Sequence, residues 1–432
     1  MTYLSWLSIV RLGLVQLCLG AIVVLTTSTL NRLMVVELAL PAVLPGLLVG
    51  LHYAIQITRP NWGFRSDSGG NRTKFIVLGM MALALGGFLA ALGLVVMASA
   101  YWQGLAVSIA AYALIGVGVG ASGTSLLALL ATATHPRRRA AAATITWLMM
   151  IFGIAVTATV VGKLLDPYSP ARLLGLVAGV GVIAVGLTGL AIWGIERRHG
   201  GVAQPQTAPQ SFAKGMSEIW QERRARNFTL FIFLSMVAYF MQELILEPYA
   251  GLAFGFTPGQ STQLSGAQNG GVFIGMLTVG IAATGLRIGS LRAWVMVGCA
   301  GSALALLIVA LAGQIVAGTV LLLPATIALG LFNGIFAVAA IGSMMALAGE
   351  GRQEREGTRM GLWGASQAIA AGVGGLFGAA AVDLARHLTD TSTAFGLVFT
   401  LEAGLFTAAA LMAAFIIDAR RQPDLGSMVP GE

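Results

Sequence analysis

Apolar runs long enough to cross about 30 Å of hydrocarbon recur along the whole chain, and this repetition constrains the fold more than any other feature. The runs show no polar and apolar alternation of the kind that strands require, so they predict helices. With 57% hydrophobic and 10% charged residues, a soluble core could not absorb the apolar surface. We therefore predict an all-α polytopic membrane protein with twelve spans. Their cores are residues 9–31, 40–58, 75–98, 103–132, 141–164, 173–195, 227–249, 266–285, 293–315, 319–348, 361–385 and 395–418.

The basic residues predict the orientation of these spans, because Lys and Arg are retained on the cytoplasmic side of a membrane. Only four of the 25 basic residues, Arg32, Lys163, Arg172 and Arg386, fall at the opposite ends of the spans. Both termini are therefore predicted to be cytoplasmic. We interpret the net charge of +8 as a topology signal, since a nucleic-acid-binding protein would gather such charges on a soluble domain and none is predicted.

One long polar segment, residues 196–226, divides the chain near its middle. It predicts a cytoplasmic linker between a six-helix half at 1–195 and a second at 227–420, followed by a cytoplasmic tail at 421–432. Four apolar residues of the linker share one helical face: Phe212, Met216, Ile219 and Trp220. This spacing suits an interfacial helix, and the alternative is a solvated linker with chance spacing.

The charged loop between the second and third spans carries a recognisable pattern. Residues 63–72 read Gly-x-x-x-Asp-x-x-Gly-x-Arg, which resembles the loop between helices 2 and 3 of major facilitator superfamily transporters. The resemblance implies two six-helix halves that rock around a midplane cavity. It also implies that Asp67 caps or pairs with a neighbouring helix end, and that Arg72 pairs across the loop to hold one conformation.

Four further stretches resemble a narrower family. They are TTSTLNRLMVVEL at 26–38, RSD at 65–67, LEPY at 246–249 and GLWGASQA at 361–368. All four look like the PucC/LhaA family, which is also called the bacteriochlorophyll delivery branch of the superfamily. The resemblance implies a multi-pass protein of the inner membrane of a photosynthetic bacterium. This membrane is either the cytoplasmic membrane or the intracytoplasmic photosynthetic membrane. The implied role is the assembly of light-harvesting complexes.

The same resemblance implies the partners of the protein. Bacteriochlorophyll or its precursors are the implied cargo, and no cofactor is obligatory. Light-harvesting antenna polypeptides, chlorophyll synthase, the translocon and membrane lipid are the other implied partners. The antenna-1, antenna-2 and pigment-synthesis branches of the family remain open alternatives.

Polar residues inside the spans are candidates for pigment binding. A chlorophyll magnesium takes one axial ligand, usually imidazole or a neutral oxygen donor. His52 lies well inside the second span with Gln56 four residues on, so the pair could bind the magnesium and a ring carbonyl. A polar contact between helices is the alternative for His52. The further candidates, for which helix packing or interfacial anchoring is the alternative, are Asn269, Asn333, Trp363 and Gln367.

Charged residues near the ends of the first and seventh spans are candidates for gating. Arg32 and Glu37 follow the first span, and Glu243 and Glu247 occupy corresponding positions of the seventh. Arg32 and Glu243 are predicted either to pair near the non-cytoplasmic mouth of the cavity or to emerge separately into water. Pro248 frees a backbone carbonyl and should let the seventh span bend.

The sequence argues against an enzyme, because it contains no cluster of Cys, His and carboxylates at metal-ligand spacing and no nucleophile motif. Two alternatives to pigment delivery remain. One is a secondary transporter of a small amphipathic solute, which is a common use of this fold. The other is a pigment-free scaffold for antenna assembly.

Overall fold

The computed structural model describes residues 3–59, 62, 72–135, 138–195, 221–286, 288–315, 318–349 and 356–417. Within these ranges the secondary structure is helical, with no strand. The first six helices are α1 (Trp6–Glu37), α2 (Val43–Ile55), α3 (Arg72–Met97), α4 (Tyr101–Ala133), α5 (Arg139–Leu165) and α6 (Pro170–Ile192). The next six are α7 (Arg223–Phe254), α8 (Pro258–Val279), α9 (Leu291–Ala312), α10 (Gly318–Gly349), α11 (Glu356–Arg386) and α12 (Thr391–Ile416).

These helices confirm the prediction of an all-α polytopic membrane protein. Among the described residues, 11 helices are long and apolar enough to cross a membrane. The second predicted span corresponds to α2, which has 13 residues and continues into a short 3₁₀ turn at Gln56–Thr58. Ala39, with φ of 51°, and Pro41 separate α2 from α1, because neither a left-handed residue nor proline continues a helix.

Three predicted features lie outside the described residues. They are the interfacial helix at 212–220, the tail at 421–432 and the part of the second loop that contains Asp67.

Several helices begin at side-chain caps that the sequence supplies locally. The backbone N–H of Arg172 donates to Ser169 Oγ at 3.2 Å, and Pro170 opens α6 in the position where its missing N–H costs nothing. At α8, Thr257 Oγ1 accepts from the N–H of Gln260, while Gln260 Oε1 accepts from the N–H of Thr257 at 2.9 Å. This reciprocal pair is a capping box, and it fixes the start of α8.

The helices form two compact units, which are described separately. The first contains α1 to α6 together with residues Glu243–Asn269, the end of α7 and the start of α8. Its α3 lies along α4, where a methyl group on Gly79 would meet the backbone N of Ser122 at 2.5 Å and one on Gly118 would meet that of Leu83 at 2.6 Å. Small residues here let the two backbones approach closely.

The second unit contains the start of α7, the end of α8 and helices α9 to α12. In it α9 packs against α10 and α12. The Phe336 ring of α10 meets Phe406 of α12 with centroids 6.1 Å apart and Phe231 of α7 with centroids 6.5 Å apart, both edge-on. Aromatic and small residues therefore fill this core.

Large apolar side chains cover the outward faces of the helices. Exposure reaches 73% at Val182, 77% at Trp193 and 89% at Phe415. In water such faces would be costly, but acyl chains solvate them without penalty. The outward faces thus agree with the assignment of these helices as membrane spans.

Candidate functional site

Glu247 of α7 is the centre of a buried polar cluster in the first unit. Its exposure is 1%, and its Oε1 accepts a short hydrogen bond from the Ser28 hydroxyl of α1. Ser28 Oγ also lies 2.8 Å from Ser265 Oγ of α8, and the Thr262 hydroxyl lies beside the same carboxyl group. The second oxygen, Glu247 Oε2, is buried and receives no hydrogen bond. Hydroxyl groups of two helices, α1 and α8, therefore surround a carboxyl group of α7.

Pro248 follows Glu247 and shapes the backbone around it. Because proline has no N–H, the carbonyl four residues earlier, that of Leu244, has no helical donor. Asn31 of α1 supplies the missing donor, with its Nδ2 2.7 Å from that carbonyl oxygen. The helix α7 continues through Pro248 to Phe254, so a side chain of α1 replaces the lost helical bond.

Arg32 is buried at 2% exposure beside this cluster and is paired with Glu37. The Arg32 Nη1 lies 2.5 Å from Glu37 Oε1, and Nη2 donates to the Phe256 carbonyl at 2.7 Å. Gly251 of α7 leaves room for the guanidinium, since a methyl group there would meet Nη2 at 3.2 Å. Of the two arrangements considered for Arg32 and Glu243, the structure contains neither an ion pair between them nor an Arg32 exposed to water. Arg32 instead pairs within α1.

Glu37 and Glu243 have different surroundings. The Glu37 side chain is 39% exposed and lies near Tyr168 in the loop between α5 and α6. Burial first, and the Glu37 charge second, raise the pKa of the Tyr168 phenol. Glu243 is partly buried one helical turn before Glu247, and the Thr27 side chain lies beside it.

The segment of α1 that faces the cluster is not regular α-helix. It contains π-helical turns at Leu25–Thr29 and Leu33–Glu37. Such turns are rare, and they occur frequently at functional sites. The Thr26 carbonyl accepts a hydrogen bond from the Tyr112 hydroxyl of α4 at 2.8 Å, and Thr26 and Thr27 bond back to the Val23 carbonyl. These bonds hold the wider turn in place.

His52 and Gln56 lie together in the first unit, as their spacing predicted. Gln56 Nε2 is 2.9 Å from His52 Nε2, and Arg59 donates a short hydrogen bond to Gln56 Oε1. His52 is 3% exposed, its Nδ1 is buried without a partner, and its backbone carbonyl packs against Gly116 of α4. In this conformation the imidazole makes polar contacts within the protein and presents no open face.

The remaining pigment candidates are not gathered at one place. Asn269 Nδ2 donates to the Ser265 carbonyl at 3.0 Å in the first unit. In the second unit Asn333 Oδ1 accepts from Ser302 Oγ at 2.8 Å, and its Nδ2 is buried without a partner. Gln367 is partly buried in α11. Trp363 belongs to the same helix, and its side chain lies outside the described part of the structure.

Arg72 opens α3 with a buried side chain, 7% exposed, whose Nη1 lies 3.4 Å from the Ala128 carbonyl of α4. It therefore links two helices, whereas its predicted partner across the loop lies outside the described residues. No group of three or more His, Cys, Asp or Glu that could hold a metal ion occurs among the residues described.

Sequence reasoning missed the hydroxyl groups of the cluster, Ser28, Thr262 and Ser265. Their signal was a run of four hydroxyl residues, 26–29, inside an otherwise apolar span, followed by a similar group at the start of α8. Glu402 of α12 is an acidic residue of the last span that was not chosen as a site candidate, and it has 0% exposure and two buried oxygens without a partner.

Solved structures of membrane transporters share this architecture. A crystal structure of a mutant of the nucleoside transporter NupG matches with a TM-score of 0.70 over 95% of this chain and 99% of that chain, at 16% identity. A bacterial homologue of the human peptide transporters PepT1 and PepT2 matches with a TM-score of 0.72 over 95% and 97%, at 14% identity. At such identities the likeness establishes the fold alone. The class is that of multi-pass helical membrane proteins with a transporter-like fold.

Within that class, the chain belongs to the PucC protein family, whose model matches residues 29–421. A relative in Rhodobacter capsulatus, named bacteriochlorophyll synthase 44.5 kDa chain, is 65% identical over 99% of this chain and 100% of its own length. The protein PucC of Cereibacter sphaeroides is 29% identical over 92% of this chain and 89% of its own length. These findings confirm the family and the multi-pass bacterial membrane location.

Proposed function

We propose that this protein is a photosynthetic membrane assembly factor that binds or delivers bacteriochlorophyll during light-harvesting complex assembly. The observation that carries the proposal is the 65% identity over the full length of a relative named for bacteriochlorophyll synthase. Membership of the PucC family and a transporter-like fold support the same role. Antenna polypeptides, chlorophyll synthase and the translocon are the proposed partners, and both termini are proposed to be cytoplasmic.

A role beside a synthase, without catalysis by this chain, fits the chemistry of its buried groups. The cluster around Glu247 consists of hydroxyls, amides and a carboxyl group. In the neighbouring ion pair, Arg32 and Glu37 of α1 neutralise each other. Such groups hold helices or a bound species in place. Synthesis of pigment by the purified chain alone would contradict this part of the proposal.

Axial ligation by His52 would require a rearrangement. Its Nε2 lies 2.9 Å from Gln56, and one imidazole nitrogen cannot hold both a hydrogen bond and a magnesium ion. Ligation through Nε2 would therefore require the Gln56 side chain to turn away, and ligation through the unpartnered Nδ1 would require the packing around the buried ring to open. Gln367, which is only partly buried, could donate an oxygen with less movement.

The test is pigment extraction from protein purified in mild detergent from its photosynthetic host, with an absorption spectrum taken before extraction. We expect stoichiometric bacteriochlorophyll in the wild type. Loss of the pigment in His52→Ala or in Gln367→Ala would show which of the two residues lies at the binding site. His387→Ala and Gln314→Ala are matched controls, because both side chains are exposed at the ends of helices.

A colourless wild type would refute pigment binding, provided that an antenna complex prepared in parallel keeps its pigment. Copurification of antenna subunits or chlorophyll synthase with that colourless protein would then favour the scaffold. The secondary-transporter alternative gains support from the fold and from the buried carboxyl group of Glu247 in α7. A rise in the thermal stability of a colourless protein on addition of a small solute would favour this transporter alternative.

A further inference from the structure

The two oxygens of the Glu247 carboxyl group differ, since one accepts a hydrogen bond and the other is buried without a donor. Ser28 has one hydroxyl proton, which it gives to Glu247 Oε1, while Ser265 lies 2.8 Å from the same hydroxyl. Thr262 Oγ1 lies 3.3 Å from Thr29 Oγ1. Glu247 Oε2 remains without any donor at 1% exposure of the residue. A buried acceptor without a donor is costly, so it indicates that a further species occupies the site.

Asn31 gives an independent indication of the same kind. Its Nδ2 is used by the Leu244 carbonyl, whereas its Oδ1 is buried at 0% exposure and accepts no hydrogen bond. Leu244 lies between Glu243 and Glu247 along α7. A second unpaired oxygen acceptor therefore lies beside α7 within one helical turn of Glu247.

The charges around the cluster do not balance when Glu37 and Glu247 are both ionised. Arg32 is the buried guanidinium nearest to Glu247 within the described part of the first unit, and it is 2.5 Å from Glu37. One positive charge thus faces Glu37 and Glu247, with Glu243 one turn away. An ionised carboxylate in the interior of a span requires a compensating charge. A single monovalent cation would supply it for Glu247.

We propose that this cluster is a binding site for sodium ion. The ligands are both oxygens of Glu247 and the hydroxyl oxygens of Ser28 and Ser265, and the Thr262 hydroxyl and Asn31 Oδ1 complete the oxygen shell. Carboxylate, hydroxyl and carbonyl oxygens are the donors that hard cations prefer. When sodium binds, the Ser28 hydroxyl turns its proton away from Glu247, so that its lone pairs face the ion.

The site joins α1, α7 and α8, so ion binding would tie these three helices together. Since α1 already departs from α-helical geometry at Leu25–Thr29, small changes in that turn would make or break the shell. Sodium would therefore favour one conformation of the first unit. Sodium binding at this site does not depend on which cargo the protein carries.

The test is thermal unfolding of the full-length protein in mild detergent, with sodium chloride replacing choline chloride at constant ionic strength and potassium chloride as a size control. A ligand that binds only the folded state raises its stability in a saturable manner. We expect a saturable rise of Tm with sodium and a weaker one with potassium. Equilibrium binding of radioactive sodium to the same protein should give one ion per chain.

Glu247→Gln should raise the sodium concentration for half-saturation by about tenfold or more, because a charged ligand is lost. The matched control is Glu402→Gln, which changes a buried, unpartnered carboxyl group of the second unit and should leave the sodium response unaltered. Ser28→Ala and Ser265→Ala, which delete one oxygen each, should weaken binding by smaller factors. They keep the proposal testable if Glu247→Gln fails to fold.

Two results would overturn the proposal. One is a wild type with equal Tm in sodium, potassium and choline and no bound radioactive sodium, which would leave a protonated Glu247 as the explanation. The other is an unchanged half-saturation in Glu247→Gln or in both serine variants. Neither result bears on pigment binding, which is measured separately.

Discussion

Replacing Asn31 with alanine removes the donor that compensates for Pro248. The Leu244 carbonyl would then have neither its helical partner nor the Asn31 amide, which now lies 2.7 Å away. An orphaned buried carbonyl costs about 1–3 kcal/mol in water-soluble proteins, and polar contacts between membrane helices average about 0.6 with a maximum near 1.7 kcal/mol. We therefore expect Asn31→Ala to lower the free energy of unfolding by about 1 kcal/mol.

A double-mutant cycle with Pro248→Ala isolates that hydrogen bond. Alanine at 248 restores the N–H that can donate to the Leu244 carbonyl, so Asn31 is no longer needed there. The loss of packing around Asn31 is the same in both backgrounds and cancels. Unfolding by denaturing detergent in sodium-free buffer should show that Asn31→Ala costs about 1 kcal/mol less in the Pro248→Ala background.

An equal cost of Asn31→Ala in both backgrounds would refute the reasoning. It would mean that the asparagine stabilises the protein by packing alone, or that the carbonyl finds another donor. Asn333→Ala serves as a control, since that buried amide bonds to Ser302 in the second unit and should show no coupling to Pro248.

Two further predictions concern helix ends and close packing. Asp166→Ala should lower the free energy of unfolding by about 0.5–2 kcal/mol, because the carboxylate accepts from Thr257 Oγ1 at 2.5 Å and the Gly259 N–H at 3.0 Å at the start of α8. Unfolding in denaturing detergent measures this, and equal unfolding curves for Asp166→Ala and the wild type would contradict a capping role of Asp166. Gly275→Ala should destabilise the protein markedly, because its methyl group would overlap a backbone carbonyl of α10. Gly179→Ala, where nothing lies within 4 Å, should be neutral or stabilise by about 1 kcal/mol through helix propensity; similar losses in both variants would contradict this contrast.

The helices were predictable from the sequence because each signal is local. Hydrocarbon thickness sets the length of an apolar run, and a helix pairs its own backbone groups, so composition within a window of about twenty residues decides whether a span forms. The boundary between the first two spans was less predictable. The sequence predicted a first core at 9–31, whereas α1 continues to Glu37 through a π-helical turn at Leu33–Glu37, where Arg32 also bonds to the Phe256 carbonyl far along the chain.

The candidate site was only partly predictable. The spacing of His52 and Gln56 along one helix predicted their contact, since residues four apart share a face. The effect of Pro248 on a backbone carbonyl was also predictable, because it follows from the covalent structure of proline. That Asn31 donates to this carbonyl was not, since the two residues are 213 positions apart in sequence.

The sequence by itself determined the membrane class, the approximate limits of most spans and the family, since these depend on composition and short residue patterns. Tertiary structure alone decided which polar groups meet. Arg32 pairs with Glu37 and not with Glu243, and Ser28 meets Glu247 and Ser265. Inside a membrane the choice of polar partner depends on the rotation and depth of each helix, and packing against the other helices sets both.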